Sequence, residues 1–393
     1  MGTIIDYVRA NTSTFDKLPP NRVDCLVFSW LAYLRIAEEV PAASTAEGIS
    51  LKQLVIEANM VGLTAPVHDP RNSESLLLAC ALSPRFSDVY ACQAIDDWSH
   101  TEEKQFSATT FALPCETAIV AFRGTDNTLT GWKECLNMAF LESVPAQQAA
   151  VSYLERVARE FDGNLIVTGH SKGGNLAEYA FLNCDDTTAA RIGRCIVHDS
   201  PGFSQEALAG MRQGSVEHIV PEESLVGMLL FGRDGKPTVV CSTTPGIMQH
   251  SPFSWEVEGA DFKTVSAITY DAYRRGKRIN SWLAAMMSTD RERFVETLFK
   301  LVQATGEVTA TGLVHSLSDG SLDLALRRLD GLPAEERSFF LDALGDLAAT
   351  MLLGPAPTNP QTPTERTADA ASKIDDIEAK FNDRLSRWEQ YLS

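Results

Sequence analysis

The chain has 393 residues, of which 44% are apolar, so it can form one large catalytic domain or two modest ones. Its formal net charge of −18 argues against binding to nucleic acid or to an anionic membrane surface. Eight scattered cysteines give neither a zinc pattern nor a disulfide framework, no apolar stretch could span a bilayer, and residues 1–24 lack the apolar core of a signal peptide. We therefore expect a cytoplasmic protein with no metal site and no transmembrane segment.

The first 60 residues are predicted to be mainly helical. Apolar residues recur at helical spacing from Asn21 to Leu34. Ser50 is the expected N-cap of a second helix, which begins at Leu51. Helices therefore precede the first strand of the chain.

From about residue 85 the apolar pattern changes to that of strands. Val89–Ile95 and Gln105–Phe111 are predicted strands joined by a polar turn, and Thr117–Phe122 is the third. The third strand ends at the loop 123–126, and a helix is predicted over Ala146–Phe161. The hairpin should form the antiparallel end of a sheet.

The segment after that helix contains the strongest motif of the chain. An apolar strand over 164–168 leads into Gly169, Ser171 and Gly173, after which a helix begins. A Gly-x-Ser-x-Gly pattern between a strand and a helix is typical of a nucleophile elbow, a sharp turn that exposes a serine hydroxyl at a helix N-terminus. A glycine-rich loop whose serine only caps the helix is the alternative interpretation.

Three more strands are predicted after the elbow. They cover Arg194–His198, Ser215–Val220 and, as the last strand, Thr238–Ser242. Strands that alternate with helices indicate an α/β fold with a mostly parallel sheet and helices on both faces. We expect this α/β domain to span residues 1–260.

The rest of the chain is predicted to be helical and to lack chemical motifs. A helical region should cover 261–353, in pieces at 261–284, 289–304 and 334–352. A proline-rich linker is expected over 354–366. Residues 367–393 carry one apolar stripe at helical spacing, so this tail helix could pack on a partner or on the body of the protein.

A nucleophilic serine needs a base and an acid, and the sequence offers both in the expected order. His250 follows the last predicted strand of the sheet domain and is the candidate base. Asp199, in a tight turn at a strand end, is the preferred acid; Glu222 and Glu223, which end the next strand, are the alternatives. His170 is expected to point away from the serine.

The oxyanion hole is expected to have two donors. One is the backbone N–H of Lys172, the residue after the nucleophile, and the other comes from Thr125 in the loop after the third strand. Trp132 and Glu134 are expected to brace that loop.

These motifs together resemble the lipase class 3 pattern of α/β-hydrolases. The resemblance rests on Phe-Arg-Gly-Thr at 122–125, Gly-His-Ser-Lys-Gly-Gly at 169–174, Asp-Ser-Pro-Gly-Phe at 199–203, Ser-Leu-Val-Gly at 224–227 and Gln-His-Ser-Pro-Phe at 249–253. The later pieces are similar to an uncharacterised bacterial branch of that superfamily. Lys172 stands where these lipases usually have leucine, and Cys135 where they usually have aspartate.

The resemblance implies hydrolysis of an acyl ester without a cofactor. Ser171 would be the nucleophile, His250 the base, and Thr125 and Lys172 the oxyanion pair. No long apolar lid follows Phe140, so a small soluble ester is as plausible a substrate as a lipid ester. The alternative hypothesis is a catalytically degenerate hydrolase fold that serves as a protein-binding or scaffold module.

Overall fold

The fold is described from a computed structural model. It describes residues 2–65, 67–99, 101–126, 128–232, 235–304 and 328–353. The predicted linker at 354–366 and the predicted tail helix at 367–393 lie outside the described residues.

A large mixed sheet organises the described part of the chain. The strands are β1 (Ile49–Ser50), β2 (Tyr90–Ser99), β3 (Lys104–Leu113), β4 (Thr117–Phe122), β5 (Asn164–His170), β6 (Ile192–His198), β7 (Val216–Pro221), β8 (Thr238–Val240), β9 (Val257–Glu258), β10 (Asp261–Phe262) and β11 (Thr264–Val265). The strand order in the large sheet is β1-β2-β3-β4-β5-β6-β7-β8-β11. Neighbours from β4 to β8 are parallel, whereas β1 to β4 pair antiparallel, as predicted for the hairpin end.

Helices precede, separate and follow these strands. The N-terminal ones have sequence-coded starts, since the Asn21 side chain accepts from two backbone N–H groups of α2 and Ser50 caps α4 as predicted. The helices are α1 (Ile4–Ala10), α2 (Arg22–Leu31), α3 (Ile36–Glu39), α4 (Leu51–Glu57), α5 (Met60–Thr64), α6 (Pro70–Leu82), α7 (Leu129–Asn137), α8 (Pro145–Glu160), α9 (Lys172–Asn183), α10 (Asp186–Ala189), α11 (Gln205–Gly210), α12 (Tyr270–Ala285), α13 (Ser288–Ala304) and α14 (Ala334–Leu353).

Each face of the sheet carries its own apolar core. Helices α1, α2, α4 and α6 pack with Ile119 and Ile166 on one face. Helices α8 and α9 pack with Val120 and Val167 on the other. Successive residues of β4 and β5 thus point to opposite cores, which is why their sequences are continuously apolar. Each fully buried large side chain contributes about 1.5–3 kcal/mol of hydrophobic stabilisation. The central strands, and the loops at their ends, are therefore held firmly.

Two details of the prediction for the C-terminal part are wrong. Thr238–Ser242 is not the last strand, because Thr264–Val265 pairs antiparallel with β8 at the edge of the sheet. The predicted helix over 261–284 begins only at Tyr270. A two-residue strand is too short to leave an alternating pattern, so the sequence gives no sign of it.

A third apolar core joins the C-terminal helices to the sheet domain. Trp282, Phe294 and Phe340 come from α12, α13 and α14, and Phe140 from the segment after α7 packs with them. The guanidinium of Arg291 donates to the carbonyl of Ala139 at 2.8 Å. The predicted boundary at residue 260 stays a prediction.

Candidate active site

Ser171 occupies a strained turn between β5 and α9. Its φ of 58° and ψ of −133° are unusual for a residue with a side chain. Its backbone N–H donates to the carbonyl of His198 at 2.9 Å, which ties the turn to β6. A Cβ on Gly169 would lie 2.1 Å from the Gly173 carbonyl oxygen, and one on Gly173 would lie 2.1 Å from that of Phe122. Only glycine fits at these two positions, as the elbow motif predicts.

Asp199 and His250 lie in direct contact beside this turn. The Oδ2 atom of Asp199 is 2.6 Å from Nδ1 of His250. Since β5 and β6 are parallel neighbours with His170 opposite His198, Ser171 and Asp199 leave the same edge of the sheet. A carboxylate can only accept, so Nδ1 carries the proton and Nε2 of a neutral ring holds the lone pair. The Asp199 side chain is 1% exposed and that of His250 is 28% exposed.

The second oxygen of Asp199 fixes the direction of the carboxylate. Its Oδ1 accepts from the Ser224 hydroxyl and from the Gly227 N–H, the latter at 3.0 Å. Asp199 also has a positive φ of 41°. Ser224 and Gly227 were part of the sequence pattern at 224–227, but the pattern alone did not indicate that they hold the acid.

The two glutamates offered as alternative acids make other contacts. The Glu223 carboxylate accepts from the backbone N–H of Gly246, and its own N–H donates to Oε1 of Gln249 at 2.8 Å. The N–H of Glu222 donates to the Val240 carbonyl at 3.0 Å. Glu223 therefore shapes the loop that carries His250, whereas Asp199 contacts the imidazole itself.

His170 lies against His250, although the sequence suggested that it points elsewhere. The two rings have centroids 4.5 Å apart, and Nε2 of His170 lies 2.9 Å from the His250 carbonyl oxygen. Because a carbonyl only accepts, Nε2 is the donor, and Nδ1 of the neutral ring accepts from the Tyr33 hydroxyl at 3.1 Å. Burial, together with the neighbouring His250, holds the pKa of His170 well below its ordinary range. His170 is therefore a neutral support for the His250 loop.

The loop after β4 is braced from both sides. Arg123 donates to both oxygens of Asp96, at 2.8 and 3.0 Å. The hydroxyl of Thr125 lies 2.6 Å from the thiol sulfur of Cys135 on α7. Cys135 thus contacts Thr125 from the position where the class 3 pattern has aspartate.

The side chain of Lys172 is buried and paired. Its ammonium forms an ion pair with Glu134 on α7 and donates to the carbonyl of Gln105 at 2.8 Å. Neither Lys172 nor Glu134 has an exposed side chain. The sequence suggested that Glu134 braces the oxyanion loop, but it did not indicate that its partner is the residue after the nucleophile.

Trp132, His198 and His218 have separate side-chain environments. Trp132, expected to brace the oxyanion loop, is 46% exposed on α7, and its bracing role stays a prediction. His198 is fully buried, with Nε2 3.2 Å from the Arg22 carbonyl, and its burial lowers its pKa to about 4. His218 lies 3.4 Å from the Glu178 carboxylate. Both histidine side chains thus contact groups other than those of the proposed triad.

A protein-family model identifies the family of this chain. A family model described as Mbeg1-like matches residues 80–300, more than half of the chain. The chain belongs to the Mbeg1-like family. Mbeg1-like proteins are a lipase class 3-like family of α/β-hydrolases, so the resemblance to lipase class 3 and the predicted fold class are confirmed, whereas the bacterial branch stays a prediction. No curated protein matches this Mbeg1-like chain.

Several solved lipase structures match this chain at low similarity. M37 lipase is 14% identical over 52% of this chain and 67% of its own, with a TM-score of 0.34. A fungal lipase in complex with an inhibitor is 13% identical, over 56% and 78%, with a TM-score of 0.34. A triacylglycerol lipase with a serine protease triad is 14% identical, over 60% and 83%, with a TM-score of 0.33. At these values nothing about the activity of the Mbeg1-like chain follows from the lipases.

A metal centre needs several grouped ligands, and a membrane span needs a long apolar helix. Within the described residues, no three His, Cys, Asp or Glu side chains are grouped to hold a metal ion. No helix in the same part of the chain is long and apolar enough to cross a lipid bilayer.

Proposed function

We propose that this protein is a serine hydrolase that cleaves a carboxylic ester through an acyl-enzyme. Ser171 is the nucleophile, His250 the general base and Asp199 the acid of the triad. The observation that carries the proposal is the 2.6 Å contact between Asp199 and Nδ1 of His250, beside a serine in a strained elbow. A buried carboxylate on Nδ1 of a partly exposed imidazole leaves Nε2 free to act as the base, as in a Ser-His-Asp triad.

The first half of the reaction forms the acyl-enzyme. Nε2 of His250 takes the proton of the Ser171 hydroxyl as Oγ attacks the ester carbonyl carbon. The carbonyl oxygen becomes an oxyanion, which the N–H of Lys172 and the Thr125 donors stabilise. The C–O bond to the alcohol then breaks, and His250 returns the proton to the leaving alkoxide.

The second half repeats the same steps with water. His250 takes a proton from a water molecule that attacks the acyl carbon, and the new oxyanion occupies the same donors. Collapse of this intermediate releases the carboxylic acid and returns the proton to Ser171. Asp199 stays ionised and stabilises the imidazolium in both halves, while Ser224 and Gly227 keep its carboxylate in position.

The proposed substrate is a small-molecule or lipid ester. Ester hydrolysis needs a nucleophile, a base and oxyanion donors, and these are the roles proposed for Ser171, for His250 and for the pair Thr125 and Lys172. No cofactor enters the proposed reaction. A series of p-nitrophenyl esters from acetate to palmitate would show which acyl length the site accepts.

Hydrolysis of that ester series by wild type and Ser171→Ala tests the proposal. Removal of the nucleophile should lower kcat by about 10⁶-fold, because triad members act as a unit. Ser75→Ala, on helix α6, is the matched control and should retain full activity, since its hydroxyl only contacts the Arg71 carbonyl. Wild-type hydrolysis that Ser171→Ala retains would contradict the proposal.

A further inference from the structure

The residue after the nucleophile carries an unusual buried contact. Lys172 is the first residue of α9, and its ammonium pairs with the Glu134 carboxylate of α7. Both side chains are 0% exposed, so neither charge is hydrated. An unpaired charge at such a depth would be strongly destabilising, so the two groups must stay together in the folded protein.

The Glu134 carboxylate joins several elements at this point. Its Oε2 accepts from the N–H of Gln105 at 3.0 Å, and its Oε1 accepts from the N–H of Ala146 at 3.0 Å. Gln105 belongs to β3 and Ala146 to the first turn of α8. Through one side chain, α7 is therefore tied to the elbow helix, to the sheet and to the start of α8.

Cys135, the next residue of α7, contacts Thr125, the other residue of the proposed oxyanion pair. The Cys135 sulfur lies 2.6 Å from the hydroxyl of Thr125. Two successive residues of a single helix thus hold the two residues that flank the proposed oxyanion. Glu134 holds Lys172, and Cys135 holds Thr125.

We propose that Glu134 is a positioning residue that, through its buried ion pair with Lys172, sets the separation of the two oxyanion donors. This inference rests on the proposed function. Oxyanion stabilisation depends on donors that are fixed before the charge develops, and displacement of about 1 Å can cost about 10²-fold in rate. A buried pair contributes little to stability compared with apolar residues of similar volume, but its fixed geometry orients both partners.

Glu134→Gln tests the role of the ion pair with little change in shape. Rates are measured well below the unfolding temperature and divided by the fraction of Ser171 that a fluorophosphonate titrates. We expect kcat per active site to fall by about 10- to 100-fold with KM within about twofold, because an interaction needed only in the transition state is weakened. The affinity for a trifluoromethyl ketone, whose hemiketal oxyanion occupies the same donors, should fall by a similar factor.

The matched control is Asp24→Asn. Asp24 and Arg85 form another ion pair with 0% side-chain exposure, in the N-terminal helical layer. This variant should lower the unfolding temperature but leave kcat per active site within about twofold of wild type. An equal loss of kcat in Asp24→Asn would mean general loosening of the fold, and it would overturn the proposal.

Failure of the role of Glu134 can be distinguished from failure of the proposed function. If Glu134→Gln does not fold, the variant with both Lys172→Met and Glu134→Gln removes both charges, and the loss of kcat should persist in it. Wild-type kcat per active site in either folded variant would overturn the role of Glu134. Wild-type protein without Ser171-dependent hydrolysis would instead overturn the proposed function.

Discussion

Two buried carboxylates in this protein have the same depth but different partners. Asp24, in the N-terminal layer, accepts from Nε and Nη2 of Arg85 at 3.0 and 2.6 Å, from the Tyr7 hydroxyl at 2.8 Å and from the N–H of Asn21 at 2.9 Å. The side chains of Asp24 and Arg85 are fully buried. This cluster therefore links helices α1 and α2 to the segment after α6.

The partner of the Asp199 carboxylate is an imidazole rather than a guanidinium. One oxygen is fixed by Ser224 and Gly227, and the other contacts His250, which is 28% exposed. The Arg85 guanidinium keeps its proton at any pH a protein tolerates, whereas imidazole can take up and return a proton near neutral pH. In the proposed mechanism Asp199 has a chemical role and Asp24 has none, because the partner of Asp199 is titratable and partly exposed.

Asp199→Asn tests the pair of Asp199 with His250, and it should cause the largest loss of kcat among the variants compared here. Without the carboxylate, Nδ1 of His250 loses its acceptor and the other tautomer becomes available, so kcat should fall by about 10⁴-fold. Glu223→Gln is the matched control, since the Glu223 carboxylate accepts from the backbone N–H of Gly246 in the same loop, and its kcat should fall by less than about 10-fold. Both values of kcat are measured by ester hydrolysis. Equal losses of kcat in the two variants would contradict the assignment of Asp199 as the acid of the triad.

Asp24→Asn tests the buried ion pair of Asp24 with Arg85. It leaves the Arg85 guanidinium buried with a weaker partner, so the free energy of unfolding should fall by about 3–5 kcal/mol. Urea unfolding followed by circular dichroism measures this change. A folded Asp24→Asn protein as stable as wild type would show that the Asp24 cluster does not hold the N-terminal layer in place.

The pH dependence of stability tests the burial of His198, beside the elbow. His198 has a pKa lowered to about 4 by burial, whereas an unfolded histidine has a pKa of about 6.5. Below pH 6.5 the unfolded chain therefore binds an extra proton, and stability is lost as the pH falls towards 4. His198→Gln should reduce the slope between pH 6 and 4.5 by up to about 1.4 kcal/mol per pH unit. An unchanged slope in urea unfolding would contradict the assignment of a neutral buried His198.

Much of this site could be predicted because its parts are local in sequence. The glycines of the elbow and the apolar strands before Ser171 and Asp199 form patterns of a few residues, and parallel strands bring their carboxyl ends together. The contacts that the sequence did not reveal join distant segments. The contact between His170 and the His250 loop spans 80 residues, and the pair of Lys172 with Glu134 spans 38.

The residue types gave only partial signals for those long-range contacts. Lys172, next to the nucleophile, was visibly out of place in the family pattern, but nothing local indicates that a charged residue there is buried. Ser224 and Gly227 stood in a recognised pattern without a known partner. Such partners are set by the packing of whole elements, which a single sequence does not specify.

The most direct test of the central claim is the site at which a fluorophosphonate labels the protein. The wild-type protein should gain one adduct, and peptide mass spectrometry should locate it on Ser171. Labelling should be slowed in Asp199→Asn and absent in Ser171→Ala. An adduct on another residue, or no adduct on folded wild-type protein, would contradict the assignment of Ser171 as the nucleophile of an ester hydrolase.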